Sequence, residues 1–429
     1  MSTAPLRTKA LLCGMMFLQF AINGIWTIPL VTYLGELGYT DPQIALAYTT
    51  LAWAAIVAPL FVGMIADRFF AAERVMAVLN LCSGVLLYLA TVVVVAPDGS
   101  PRPILFFWVL LAHCICYMPT WALINSIALA HVQDANREFP LIRLMSTLGW
   151  ISVSGISLVA SRFEWNIEKT AWPLWIGAGL CLLTSVYNLF LPHTPPQGAG
   201  KKVTIGDVLG LKAVGLLRDR NLAVLMACSF LITIPASFYW TFCDGFLNEI
   251  HMTAVQFTMS IGQMSEVIFI FFLPFFLRHM SVKGLFSVGL LAWAARYVLL
   301  AFGNMGASMW MLYLALVLHG MCYAFVFVVG LMYTDSKAPK ELQASAQGLL
   351  TLVTFGLGQL VGTHLSGVFV DRYAIDGTAG KLHDWCPIWL WPVPMSAVAA
   401  ILFFLLFWDK IGLRTDLCEE LVEMPEPKP

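Results

Sequence analysis

The amino-acid sequence predicts an all-α integral membrane protein, with twelve transmembrane helices in two six-helix halves. Three observations carry that expectation. Of 429 residues, 59% are hydrophobic and only 11% charged. A soluble globular chain is roughly 25% charged, so much of this surface must rest in lipid. Twelve segments hold the ~20 mostly apolar residues that a bilayer-spanning helix needs. Lysine and arginine also fall unevenly between the connecting loops, which gives the topology a direction.

In order, the expected spans are 9–34, 43–66, 73–96, 103–130, 141–161, 172–192, 221–247, 254–277, 283–303, 307–333, 344–370 and 388–408. The apolar run of the first, Ala10 to Leu34, exceeds the ~7–15-residue core of a secretory signal, and no small-residue cleavage site follows. It reads as a retained first helix. With the N-terminus inside, the inner segments hold most of the 24 Lys and Arg residues. The outer loops hold only Arg102, Arg162, Lys169, Arg372 and Lys381, and Arg143 and Arg296 lie within spans. Both termini are therefore expected in the cytoplasm, with the chain in a cell inner membrane.

The longest inner connection gives the domain plan. Residues 1–192 form the N-terminal half and 221–408 the C-terminal half. Between them, 193–220 is a cytoplasmic linker that begins Pro195-Pro196-Gln197-Gly198 and carries Lys201-Lys202. Thr204 and Asp207 can cap a short surface helix there, running through Leu217. The acidic, proline-rich tail 409–429 has the composition of a disordered segment.

Several function classes are excluded at this level. A net charge of −1 argues against a nucleic-acid partner. Eight of the ten cysteines (Cys13, Cys82, Cys114, Cys116, Cys181, Cys228, Cys243 and Cys322) lie in apolar runs and read as packing residues rather than disulfides or metal ligands. No cofactor motif or nucleophile–base cluster marks an enzyme. The expected surroundings are the lipid bilayer, and the expected state is a monomer without cofactor or metal.

Twelve spans in a 6 + 6 order with both ends inside resemble the major facilitator superfamily, whose halves are related by an axis along the membrane normal. The segment Gly63-Met64-Ile65-Ala66-Asp67-Arg68, followed by Arg74, resembles that superfamily's inner-loop motif between spans 2 and 3. There, glycine permits close helix approach and the Asp/Arg pair latches the inner side. The other reading is an ordinary basic inner loop. A second Gly-x-x-x-Asp-Arg, Gly367 to Arg372, ends span 11 and is either an echo of the repeat or chance.

Polar groups inside the spans point to a path for a polar solute. Glu266 stands in the middle of the run Val255 to Leu277. A charge at that depth costs a few kcal/mol or more unless it faces water, pairs with a cation or takes up a proton. With Gln256, Ser260 and Gln263 it follows i, i+4, i+7, i+10 spacing, one stripe of a helix. Arg143, Thr147, Trp150 and Ser154 form a similar stripe in span 5, with Pro140 suited to its first helical turn. Arg143 either snorkels to the inner surface or presents fixed donors to a cavity. Glu266 has a competing role as a structural partner of a buried arginine. Arg296 reads as structural, paired within the C-terminal half. His113, His319 and His364 are able to titrate near neutrality, though a helical histidine is more often simply hydrogen-bonded. His319 is the best placed, before the face Gly320-x-x-Tyr323. Gln19 in span 1 and Asn125 in span 4 either line a cavity or join helices. Trp385, Trp389 and Trp391 suit an outer aromatic belt.

The chain also resembles, along nearly its whole length, the nucleoside:proton symporter family of that superfamily. The resemblance rests on Phe17-Leu18-Gln19-Phe20 with Gly24-x-Trp26, and on Tyr117-Met118-Pro119-Thr120 with Leu123-Ile124-Asn125. Further matches are Phe139-Pro140-x-Ile142-Arg143 with Thr147-x-Gly149, and Gln263-x-Ser265-Glu266 with Pro274-Phe275-Phe276-Leu277. Ala344-Ser345-Ala346-Gln347-Gly348 opens span 11. The resemblance implies that Arg143, Thr147, Gln263 and Glu266 bind nucleoside, with Trp150, Trp240 and Tyr323 as candidates to stack on the base. Two stretches depart from the family pattern. Ser237-Phe238-Tyr239-Trp240 replaces a Gln-x-x-Asn pair, and Ala324 follows Tyr323 where the family often has an acid. The second departure removes a possible proton-linked carboxylate and leaves Glu266 as the expected main mid-membrane acid.

The expected function is therefore nucleoside import, coupled to protons through Glu266 and working by alternating access. The competing readings are a same-fold transporter or uncoupled facilitator for another polar solute such as a sugar, and a non-transporting membrane receptor.

Overall fold

The computed structural model describes residues 5–61, 70–196, 211–377 and 380–408. The expectations for Gly63, Asp67 and Arg68, for Thr204 and Asp207, and for the tail from 409 lie outside the described residues. By packing, the chain divides into two compact units. Unit 1 holds Met1–Val208, Tyr239–Ser260 and Thr363–Arg372, and unit 2 holds Leu209–Phe238, Ile261–Gly362 and Tyr373–Pro429.

Unit 1 begins with α1 (Leu6–Trp26), α2 (Leu30–Glu36), α3 (Asp41–Phe61), α4 (Ala72–Val93) and α5 (Pro103–Tyr117). It continues with α6 (Pro119–His131), α7 (Ala135–Ser161) and α8 (Trp172–Asn188). Prolines open α5 and α6 and sit in the first turn of α8, where a missing N–H costs no helical bond. The span expected over 103–130 runs through α5 and α6, which join at Met118 with helical backbone angles. The expectation for Pro140 is corrected: α7 starts at Ala135 and Pro140 lies inside it. The helix loses one backbone donor there, since proline has no N–H for the carbonyl four residues earlier. α1 packs on α7 and α8, and α4 on α5 and α8.

The two faces of α4 show how this chain meets its surroundings. Asn80, Ser83 and Gly84 are buried, while Val78, Leu81, Val85, Tyr88 and Val92 are exposed. Apolar side chains outside and small or polar ones between helices are the pattern of a helix in lipid, where hydrocarbon takes the place of water.

The second part of the chain runs through α9 (Arg220–Glu249), α10 (Val255–Phe271), α11 (Leu273–His279) and α12 (Val282–Phe302). α13 (Met309–Cys322) passes through a π-helical turn, Tyr323–Val328, into α14 (Val329–Lys337). α15 (Gln343–Thr351) passes likewise through Leu352–Gly358 into α16 (Gln359–Arg372). A two-stranded antiparallel hairpin, β1 (Ala374–Gly377) and β2 (Gly380–His383), precedes α17 (Trp385–Leu390) and α18 (Pro392–Leu406). The described end of the linker, Leu211–Arg218, is a 3₁₀ helix.

Among the described residues, nine helices are long and apolar enough to cross a membrane. The count is ten if α10 and α11, bent by 51°, make one span. The other two expected spans correspond to α3, which ends next to residues outside the description, and to α8, of 17 residues. The fold is thus consistent with twelve. Trp389 leaves the expected aromatic belt: it is fully buried in unit 2 and stacks with Tyr297, 6.2 Å between ring centres.

Candidate functional site

In unit 1 the span 5 stripe is positioned by a close approach of α7 to α1. A Cβ placed on Gly149 would stand 2.1 Å from the Phe17 carbonyl oxygen, and one on Gly24 3.1 Å from the Trp150 Cα. Any side chain on Gly149 would push the two backbones apart, so the absence of one sets the height at which Arg143, Thr147 and Trp150 stand. The Arg143 guanidinium lies 4.6 Å from the centre of the Phe20 ring, a cation–π arrangement, and donates to the Ser146 hydroxyl. Phe20 in turn stacks on Trp121 at 5.1 Å. Arg143 and Thr147 are both half-buried.

Gln19 is fully buried and ties helices together. Its Nε2 donates to Thr120 Oγ1 at 2.6 Å, and its Oε1 accepts from Asn80 Nδ2 at 3.2 Å. Tyr117 donates to its backbone carbonyl. Asn125 donates to the Trp121 carbonyl at 3.1 Å. Two buried polar atoms beside the stripe have no hydrogen-bond partner among the described residues: Asn125 Oδ1 and Trp150 Nε1. A buried group left unsatisfied in a native fold calls for an explanation, and a ligand supplies one. Trp240, on the part of α9 in unit 1, is half-buried.

In unit 2 a second glycine contact positions Gln263 and Glu266. A Cβ on Gly320 would stand 2.4 Å from the Ser265 carbonyl carbon and 2.5 Å from the Glu266 nitrogen. Gly262 lies against the His319 ring, and Ser265 Oγ donates to the Val317 carbonyl at 2.5 Å. α10 and α13 therefore touch backbone to backbone at the turn that carries both predicted binding residues. Gln263 and Glu266 are half-buried, and Gln263 Oε1 is a buried acceptor with no partner among the described residues. His319 is 4% exposed and faces Arg296, with Nη1 2.9 Å from Nδ1. The donor must be the guanidinium, so His319 presents a bare Nδ1. Arg296 is wholly buried and also covers the Trp293 ring, which matches its structural reading. Tyr323 is half-buried, begins the π turn and packs against His319, ring centres 6.3 Å apart.

The span 8 stripe divides. Gln256 and Ser260 lie in unit 1, Gln263 and Glu266 in unit 2. Gln256 is fully buried and donates to the Gly24 and Ile25 carbonyls, and Ser260 donates to the Phe257 carbonyl. Periodicity put the four on one helical face; only the fold separates helix-joining groups from the rest. Arg74 is exposed and lines a cavity of about 380 Å³ with Glu73, Leu189, Leu191 and His193, which holds none of the predicted binding residues.

Two further buried acids lie in unit 1. Asp244, inside α9, is 2% exposed, and Glu168, in the 3₁₀ turn Ile167–Lys169, is 1% exposed. Both carboxylates accept from the same Asn248 amide nitrogen. Asp244 carried a legible signal, a carboxylate inside the span expected over 221–247. Glu168 carried none, since a loop carboxylate is ordinarily solvated.

A family model described as Nucleoside H+ symporter matches residues 6–411. YegT of Escherichia coli (strain K12), provisionally named a nucleoside transporter, is 39% identical over 409 residues, 94% of each chain. The xanthosine permease of the same organism is 30% identical over 408 residues, 91% of this chain and 93% of the other. A crystal structure of the nucleoside transporter NupG matches with a TM-score of 0.83 at 28% identity, over 94% of this chain and 100% of the other.

Proposed function

We propose that this chain, which belongs to the nucleoside H+ symporter family, carries nucleosides inward together with protons, by alternating access of its two six-helix halves, 1–192 and 221–408. In this reading Arg143 and Thr147 on α7 and Gln263 and Glu266 on α10 bind the nucleoside. Ribose hydroxyls and base edges need several donors and acceptors, and those four side chains supply both kinds. Trp150, Trp240 and Tyr323 offer aromatic faces to the base, with Asn125, His319 and Gln19 at the margin of the assignment. The observation that carries the reading is a set of buried polar atoms with no hydrogen-bond partner among the described residues: Trp150 Nε1 and Asn125 Oδ1 in unit 1, and Gln263 Oε1 in unit 2. The protein works as a monomer in the inner membrane with both termini cytoplasmic.

Glu266 couples the cycle to protons by binding one with substrate and releasing it on the inner side. The test is uptake of labelled uridine, adenosine and xanthosine into proteoliposomes, with and without an inward proton gradient. Gradient-driven accumulation of at least one nucleoside is expected, and Glu266→Gln should abolish it. Full accumulation by Glu266→Gln would refute that role for Glu266. One feature favours a second reading, a same-fold carrier of another polar solute. Ser237 is buried and donates to the Thr233 carbonyl of its own helix, so this position offers no side-chain amide to a base. Competition by sugars but not by nucleosides would select that reading.

A further inference from the structure

We propose that Asp244 is a proton-binding site, set against Glu168 in one buried cluster within unit 1, and that its proton holds together α2, α9, the start of α10 and the turn Ile167–Lys169. The proposal rests on the proton-coupled reading above and adds a residue to it.

The two acids are unequally solvated by the protein. Glu168 Oε1 accepts from the Gln256 backbone N–H at 2.8 Å and from the Ser157 hydroxyl, and its Oε2 accepts from Asn248 Nδ2 at 2.9 Å. Both oxygens of Glu168 thus have donors. Asp244 has its donors on one oxygen only. Oδ1 accepts from the Thr32 hydroxyl and, at 3.3 Å, from Asn248 Nδ2. Its Oδ2 is buried and has no hydrogen-bond partner among the described residues.

The shared Asn248 amide holds the carboxyl groups within about 6 Å of each other. Like charges that close in a buried site disfavour the doubly ionised form. Among the described residues no lysine, arginine or histidine forms an ion pair with either acid. Lys169, next to Glu168 in the chain, is paired with Glu36 at 2.5 Å. The other titratable groups around the cluster are Tyr48 of α3, which donates to the Thr27 carbonyl, and Glu164 and His251 at the wall of an adjoining cavity. Among the described residues none of them forms an ion pair with either acid. A proton on Asp244 removes one of the two charges.

A cavity of about 270 Å³, lined among others by Glu168, Asn248, Lys169 and His251, adjoins the cluster. In this proposal the O–H bond on Asp244 forms with a proton taken up from the solvent and breaks by returning it there. Once the proton leaves, two negative charges face each other across Asn248. The links from Thr32 on α2, from Ser157 on α7 and from the Gln256 N–H on α10 are then the contacts that must give way.

The experiment uses the full-length transporter in proteoliposomes and in infrared difference spectra taken as pH is stepped. Asp244 should show a protonated-carboxyl C=O band that is lost in Asp244→Asn. Glu168→Gln, which removes the neighbouring charge, should move the pH at which the band disappears. Asp244→Asn, fixed in the neutral form, should lower gradient-driven uridine accumulation at least tenfold and flatten the pH dependence of uridine exchange. An unaltered band in Asp244→Asn, or full accumulation by that variant, overturns the proposal. If Asp244→Asn does not fold, the band in wild type against Glu168→Gln decides: an unmoved transition overturns it. If wild type shows no gradient-driven accumulation, the proton-coupled reading fails, and the infrared titration still tells whether Asp244 binds a proton.

Discussion

The backbone of Gly320 lies against that of Glu266, so that a single methyl group on Gly320 would stand 2.5 Å from the Glu266 nitrogen. The obstacle is backbone on a helix and not the end of a flexible side chain. Gly320→Ala must therefore move α10 where Gln263 and Glu266 stand. We expect a stability loss of ~1–3 kcal/mol from overpacking and at least a tenfold loss of nucleoside affinity. Thermal unfolding with and without nucleoside reports both. A variant with unchanged affinity would show that this contact does not position Glu266.

Gly149 offers the matching test in unit 1, with a control on the same helix. Its added Cβ would meet the Phe17 carbonyl, whereas one on Gly155 would meet nothing within 4 Å. Gly149→Ala should lower the melting temperature and the yield of folded protein. Gly155→Ala should leave both intact or raise stability by up to ~1 kcal/mol through helix propensity. Equal effects of the two substitutions would contradict the packing argument.

Arg143 stands over Phe20 with a planar guanidinium, a geometry that lysine does not reproduce. Arg143→Lys should weaken nucleoside binding about tenfold, and Arg143→Ala more. Isothermal titration of the purified protein measures this, and wild-type affinity in both variants would remove Arg143 from the binding set.

Tyr39 lies between α2 and α3, is buried, and donates to the Val94 carbonyl at 2.6 Å. Burial pushes its hydroxyl up to about 12 from an ordinary value of 10. The folded state therefore favours the neutral phenol, so this stabilisation is complete below pH 10 and is lost as pH rises through 12. Tyr39→Phe should cost ~1 kcal/mol at neutral pH. Its deficit against wild type, read from melting curves between pH 9 and 12, should shrink as pH rises. A deficit that stays constant over that range would contradict the assignment.

Much of the architecture was legible from composition and period. Apolar length predicts spans, and the 3.6-residue period put Arg143, Thr147 and Trp150 on one face and Gln263 and Glu266 on another. Period does not show which neighbour a face meets. Gln256 and Gln263 look alike in sequence, yet the first donates to the Gly24 carbonyl and the second keeps an unpartnered oxygen. The roles of Gly149 and Gly320 were equally hidden, because a glycine's value in a helix depends on the backbone that approaches it.

The sequence by itself determined that this chain must live in lipid, how its spans are ordered and which helical faces carry polar groups. These follow from local quantities: apolar length, charge and helical period. Only the tertiary structure decided that Asp244 shares an amide with Glu168, 76 positions earlier in the chain. Their unequal hydrogen bonding, and the proton inferred from it, arise from contacts between distant segments, and no local pattern encodes those.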